Sequence, residues 1–373
     1  MLKKLKDECY IVMGQSPSSA NYNSDKTGTP FMQGRKTFGD KYPTIDTWTT
    51  KLTKIAPKGS ILMSVRAPVG DVNVAPCDLC IGRGLASIKM KNGNNQYLYY
   101  LLKNNSELLK NKSTGTVFEA INKDDLENLV LDFHSENEQN KISTILTNID
   151  KKIELNNKMN SNLYEIGKSY FNDYISKCSD KVFIRDIADE ILDYTKNKNN
   201  KVKLLNSSDV TENSFPNVNF VDNVDLKGHF KKRFKKYDIL YSQIRPRNHH
   251  YGYVLLDDSD NYLASTRFMV VRNKSDKVSS SLLYYYLTSK NAVDDFTTKT
   301  ELRSGTFPQG NYEDLSSYIV KYSTEQEKIT KILDSVLEKI YLNNNEIKKL
   351  SELRDALLPK LMNGEIDLDN IEI

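Results

Sequence analysis

From Ile142 the chain places apolar or amide side chains at Ile142, Leu146, Ile149, Ile153, Asn156, Asn160 and Leu163, in alternating steps of four and three. That period keeps one face of an α-helix aligned on a partner helix, so it predicts a coiled-coil seam. A second stretch repeats it without a gap: Ile329, Leu333, Val336, Ile340, Asn343, Ile347 and Leu350. Asn156 and Asn343 fall at equivalent seam positions. A polar side chain buried there costs stability yet fixes register and partner number, whereas an Asn at the wet edge of a bundle has no such role, and the sequence admits either. Ahead of the two stretches, "SENEQ" and "STEQE" supply N-cap residues and early acids, which suit a helix start.

The repetition extends well beyond the helices. "KGSILMSVRAPVGDV" from Lys58 pairs with "KYDILYSQIRPRNHHYGYV" from Lys236, the second copy carrying an insertion around Arg247 to His250. "YLYYLLKNN" from Tyr97 matches "LLYYYLTSKN" from Leu282, and "STGTVFEAINKDDLENLVL" from Ser113 matches "RSGTFPQGNYEDLSSYIV" from Arg303. The order is therefore head, helix, head, helix. The boundaries expected are a first head over 1–135, a helix over 136–177, a second head over 178–322, a helix over 323–363 and a tail over 364–373. Each head carries short β-type runs such as "SILMSV", "LASIKM", "DILYSQI" and "RFMVV", bounded by Gly, Pro and Asn clusters, with one Tyr/Leu-rich helix inserted. The fold class expected is α+β.

Connectivity constrains the geometry further. If the first helix delivers the chain from head one to head two, the second must run back for the two to pack along their length. An antiparallel pair results, with an internal pseudo-two-fold axis. At 1.5 Å per residue, about 35 residues make a rod of roughly 50 Å, a ruler between two grippers.

Composition narrows the classes. The 373 residues are enough for two or three domains, and 38% apolar content gives each a core. No apolar run argues for a membrane span, and "MLKKLKDECY" lacks the apolar core of a signal peptide, so the expected compartment is the cytoplasm. Cys9 and Cys178 stand alone, and Cys77 and Cys80 form one CxxC with no second pair at the spacing that closes a zinc site, so no metal is expected. The net charge of +4 permits a nucleic-acid partner without naming one.

The loops of the heads concentrate side chains suited to base edges and phosphates. Head one offers Gln15, Ser16 and Ser18 in "GQSPSS", Gln33, Arg35 and Lys36 in "MQGRK", then Arg66, and Arg83 in "IGRG". Head two offers Lys231, Lys232 and Arg233 in "KGHFKKRFKKYD", and Gln243, Arg245, Arg247, Asn248, His249 and His250 in "SQIRPRNHH". Arg267 in "RFMVV", Thr114 and Thr116 in "STGT", and Arg303, Ser304 and Thr306 in "RSGT" complete the set. Arg pairs bidentately with guanine and Gln or Asn with adenine, while Lys, Ser and Thr mostly hold the backbone. Any one of these residues alone would read as solvated surface. Their clustering in the loops of both heads points to DNA.

The doubled "EQ(N/E)KI…IL…(I/V)…KI.LNN" helices resemble those of the DNA specificity subunit of Type I restriction-modification systems. So do the "GQSPSS…PFMQGRKTFGDKYP…WTTK…KGSILMSVRAPVGDVN…CIGRGLASI" series and the "TGT" and "LRSGT" turns, and the likeness covers nearly the whole chain. It implies two α/β target recognition domains separated by two long antiparallel coiled-coil helices. It further implies that the chain reads a bipartite, asymmetric DNA site and docks two methyltransferase (M) subunits through its paired helices. Those subunits would use S-adenosylmethionine to methylate adenine, and restriction (R) subunits, joining through them, would cut with ATP and Mg. Head two departs most from the pattern, with "NYLASTRFMVV" in place of "CIGRGLASIKM".

An enzyme in its own right fits less well. Base methylation at an exocyclic amine needs Asn or Asp followed by Pro-Pro and an aromatic, together with a glycine-rich cofactor loop, and the sequence has neither. Gly82 and Gly84 come nearest to such a loop but do not open a helix. No GxxxxGK[ST] marks an ATP site, and no partner acid accompanies His249 and His250. A coiled-coil scaffold would explain the helices but not two large heads with Arg/Gln loops. The chain is therefore expected to bind DNA with no catalytic residue and no cofactor of its own.

Overall fold

The computed structural model describes residues 1–106, 109, 120–216, 218–226, 228–302 and 309–368. The chain forms two compact units: Met1–Lys151 with the segment from Leu350 onward, and Lys152–Lys349. Each takes a part of both long helices. These are a central helix, Glu136–Lys177, and a C-terminal helix, Glu327–Met362.

In the first unit a four-stranded sheet runs in the order Cys9–Met13, Leu85–Met90, Ile61–Ser64, Val72–Val74, all neighbours antiparallel. A five-stranded sheet holds the parallel pair Thr29–Met32 and Leu79–Ile81, and Leu2–Lys4 pairs with Val130–Asp132. The second unit repeats the plan. Its four-stranded sheet runs Ala188–Glu190, Phe268–Asn273, Ile239–Ser242, Tyr251–Tyr253. A second sheet holds the parallel pair Lys201–Leu205 and Tyr262–Ser265, and Asp180–Phe183 pairs with Ile319–Tyr322. The short apolar runs read from sequence are these strands. Each unit also buries one Tyr/Leu-rich helix, Asn95–Asn104 or Ser280–Leu287, because that helix is apolar on nearly every side. Matching capping boxes, Asn122 with Asp125 and Asn311 with Asp314, start the short helix ahead of the last strand in each unit.

The seam is as the period predicts. Ile142, Leu146, Ile153, Ile329, Leu333, Val336 and Ile340 are buried, while Ile149, Leu163, Ile347 and Leu350 are half-buried. In the second unit Asn156 donates to Glu346 at 2.8 Å, Asn343 donates to Asn160 at 2.8 Å, and Asn160 donates to Asn344 at 2.8 Å. Partner numbers fall along one helix as they rise along the other, so the pair is antiparallel. Asn156 and Asn343 are 2% and 1% exposed, which removes the wet-edge reading: these amides are buried and bonded.

In the first unit the corresponding contact is ionic. Asp150 of the central helix accepts from Lys41 at 2.9 Å, from Tyr100 at 2.5 Å and from Arg354 of the C-terminal helix at 3.1 Å. Arg354 also reaches Asp40 at 3.1 Å and Asp355 at 2.9 Å. One carboxylate thus ties head one to both helices. Burial by itself would raise the Asp150 carboxyl, but the hydrogen bond from Tyr100 and the contacts of Lys41 and Arg354 outweigh it and hold the group below its ordinary value.

Removing one partner of such a buried set leaves the others uncompensated, so Asp150→Asn is expected to lower stability by about 3–5 kcal/mol near neutral pH. A carboxyl depressed in the folded state contributes above its unfolded value, about 3.9, and loses that contribution as pH falls through the folded value. Denaturant midpoints of wild type and variant should therefore begin to converge as pH falls below about 4 and meet only below the folded value.

Candidate nucleic-acid interface

In head one the polar loops meet where the chain passes from the five-stranded sheet, at Leu79–Ile81, to the four-stranded sheet, at Leu85–Met90. Gln15 donates its backbone N–H to Ile81 at 2.9 Å, Gly82 to Met32 at 2.8 Å, Gly84 to Gln33 at 3.1 Å and Val65 to Gly84 at 3.0 Å. The Arg83 amide donates to the Ser16 hydroxyl at 3.1 Å. These bonds gather the exposed side chains of Gln15, Gln33, Arg83 and Arg66 around Gly82–Gly84. The glycines are required by contact: a Cβ on Gly82 would lie 2.9 Å from Gln33 Cα, and one on Gly84 would lie 2.7 Å from the Gln33 carbonyl oxygen. Ser18 stands apart, its carbonyl accepting from Asn21 at 3.0 Å in a short turn. Arg35 is ion-paired to Asp71, and Lys36 is exposed on the same turn.

Head two builds the same corner with different side chains. Gln243, Arg245, Asn248 and Arg267 come together there. A cleft of about 520 Å³ is lined by Arg245, Asn248 and Arg267 with Ser207, Ser208, Ser242, Ile244, His250 and Gln309. Gln309 donates to Gln243 at 2.8 Å, holding that amide at the rim. Arg245 and His249 bracket a tight turn at Pro246–Asn248, with φ of +49° and +55° in the left-handed region that non-glycine residues rarely adopt. An adjoining cavity of about 340 Å³ adds Asn206 and His229.

Sequence reasoning did not select Asn206, Ser207, Ser208, His229 or Gln309. The signal was positional. Asn206 follows the parallel strand of head two as Gln33 follows that of head one, and Gln309 bridges Ile244 as Ala120 bridges Arg66.

Other expected residues sit elsewhere. Arg247 meets Glu301 at 3.5 Å and His249 meets Glu212 at 2.8 Å, and both line a separate groove with Tyr164 and Tyr251. Arg233 pairs with Asp260 at 2.9 Å, and exposed Lys231 lies 5.3 Å over the Tyr194 ring. The expectation of a phosphate contact fails for Lys232. It is 2% exposed and donates to Glu190 at 2.9 Å and to the Phe268 carbonyl at 2.7 Å, because strand alternation turns it inward between outward-facing Lys231 and Arg233. Thr114, Thr116, Arg303, Ser304 and Thr306 lie outside the described residues. Among the described residues no group of three or more His, Cys, Asp or Glu is placed to hold a metal ion, and no helix is long and apolar enough to cross a membrane.

The profile of the Type I restriction modification DNA specificity domain matches residues 1–165 and again 179–352. The chain belongs to this family. Over 164 residues it is 42% identical to a putative type I restriction enzyme MjaX specificity subunit of Methanocaldococcus jannaschii, covering 43% of this chain and 39% of that protein. Over 158 residues it is 37% identical to the HindI specificity subunit of Haemophilus influenzae, covering 42% of this chain and 34% of the relative. These two matches span well under half of either relative. The MjaIX specificity subunit, also of M. jannaschii, is 24% identical across 99% of this chain and 94% of its own length. A crystal structure of the Type I restriction-modification S subunit from M. genitalium shares the fold, with a TM-score of 0.64 over 97% of this chain and 95% of that one at 16% identity. The Type I specificity fold thus accounts for both heads and both helices.

Within this specificity chain the two neighbouring lysines separate cleanly. Lys232→Ala should destabilise head two by about 3 kcal/mol, since it strands Glu190 and the Phe268 carbonyl. Lys231→Ala should leave the melting curve in place. If Lys231 touches a phosphate, it should flatten the salt dependence of DNA binding by about one counterion. Paired denaturation curves and salt titrations of the two variants test both outcomes.

Proposed function

We propose that this chain is the non-catalytic, DNA-reading subunit of a cytoplasmic Type I restriction-modification complex and that it reads a bipartite, asymmetric site, one half per head. The observation that carries this reading is the shared corner with unlike contents. In both heads a parallel strand pair leads into the corner, and Val65 donates to Gly84 as Gln243 donates to Arg267, while head one presents Gln15, Gln33 and Arg83 and head two presents Arg245, Asn248 and Arg267. One scaffold with two sets of base-reading groups suits two different half-sites.

A second duplication supports docking of two copies of one partner, the methyltransferase subunit. With Ile142 equivalent to Ile329, Leu155 matches Leu342 and Ile166 matches Leu353. The first pair is 61% and 59% exposed, the second 46% and 48%. Val130 and Ile319, equivalent on the two-stranded sheets, are 45% and 49% exposed. Large apolar side chains left open twice, at matching places, fit two like interfaces. In this reading S-adenosylmethionine belongs to the partner, as do ATP and Mg to the restriction subunits that join it.

Purified alone, the chain should bind duplex DNA in a strongly salt-dependent way and transfer no methyl group. Adding the cognate methyltransferase subunit should produce adenine methylation at a two-part sequence. Methyl transfer by the chain alone would overturn the assignment. For docking, Leu155→Asp or Leu342→Asp should each reduce the bound partner from two copies to one, and the double variant should bind none. The mass of the complex reads this, and two copies retained in the double variant would remove these positions from the interface.

A further inference from the structure

The strand registers allow the corners of the two heads to be superposed residue by residue. Ile61 lies opposite Ile88 and Val74, and Ile239 lies opposite Val271 and Tyr253. Val65 donates to Gly84 at 3.0 Å as Gln243 donates to Arg267 at 2.9 Å. Arg245 therefore occupies the place of Ala67, and Arg267 the place of Gly84. Both arginines of the head-two cleft stand where head one has a residue with almost no side chain.

The charges around them make the substitution specific. Among the described residues of this unit, Arg233 is paired with Asp260, Arg247 with Glu301 and Arg272 with Asp238, while Arg185 stacks over Phe183 at 3.9 Å. Among the described residues Arg245 and Arg267 have no carboxylate within ion-pair distance, and they line one cleft with Asn248 and Gln309. A guanidinium left without a carboxylate keeps its planar fork of donors available, and the duplex group that matches it is the O6/N7 edge of guanine in the major groove. A phosphate would satisfy the charge equally well, but the neighbouring amides supply the paired donor and acceptor that base edges use.

We propose that the half-site read by head two contains a guanine recognised from the major groove by Arg245 or Arg267, two positions that carry no guanidinium in head one. The proposal rests on the DNA-reading function above and adds the base and the groove.

The test uses the full chain in complex with its methyltransferase subunit. Selection from random duplexes first defines the two half-sites. Each guanine of the selected site is then replaced by 7-deazaguanine, which lacks N7, or by inosine, which keeps O6 and N7 and lacks only the minor-groove amine. The expected result is one half-site in which 7-deazaguanine weakens binding about tenfold or more while inosine does so far less. Arg245→Ala or Arg267→Ala should abolish that difference and leave the other half-site's preferences intact. The base-analogue arm needs no protein variant, so a misfolded variant does not rescue the proposal. It is overturned if no guanine in either half-site responds to loss of N7. It is equally overturned if both variants weaken all duplexes alike with a shallower salt slope, the behaviour of a phosphate grip. Failure of the underlying function looks different: the wild-type complex would then select no two-part sequence at all.

Discussion

The buried polar contacts between the two long helices are the constraint on which the rest depends. An apolar seam of Ile and Leu favours helix pairing but discriminates weakly among sliding registers. Here the second unit fixes the register with amides, Asn156 on Glu346 and Asn160 on Asn343 and Asn344. The first unit fixes it with charge, Asp150 held by Lys41, Tyr100 and Arg354. A slip of one turn in either unit would strand groups that the fold has taken out of water. Each head is attached to that pair by its own core, Leu146 with Leu358 and Leu361 in one unit, Leu333 and Leu337 with Phe171 in the other.

With the scaffold anchored in this way, the reading corners are free to differ. Their positions are set by backbone hydrogen bonds between strand ends, which are indifferent to the side chains projecting from them. Gly84 in one head and Arg267 in the other occupy equivalent ladder positions, Gly84 donating its N–H to the Gln33 carbonyl and Arg267 donating its N–H to the Ser265 hydroxyl. The cost of close packing falls on a few residues such as Gly82, where the Gln33 backbone leaves no room for a methyl group.

The burial of Lys232 illustrates how a charge run misleads. In "FKKRFKK" each lysine has the same composition-level claim on a phosphate, yet the strand Phe230–Lys232 sends alternate residues to opposite faces. Lys232 is accepted inward because Glu190 and the Phe268 carbonyl wait for it, a fact written on the strands Ala188–Glu190 and Phe268–Asn273 of the other sheet rather than beside it in the chain.

The sequence by itself determined the architecture. Coiled-coil seams and strand runs are local, periodic signals, and a chain that writes them twice declares its repeat, so both long helices, their antiparallel pairing and the α+β heads were legible. Arg245, Arg267 and Gln33 were also legible as candidates, being polar residues in short loops between apolar runs. What only the tertiary structure decided was which of those loops meet. Asn206 and Gln309 joined the head-two site, Arg247 and His249 moved to another groove, and the two seam asparagines proved to be buried. Side-chain partnership is set by sheet order and by strand and helix register between segments as many as 314 residues apart, as for Asp40 and Arg354, and no local period encodes it.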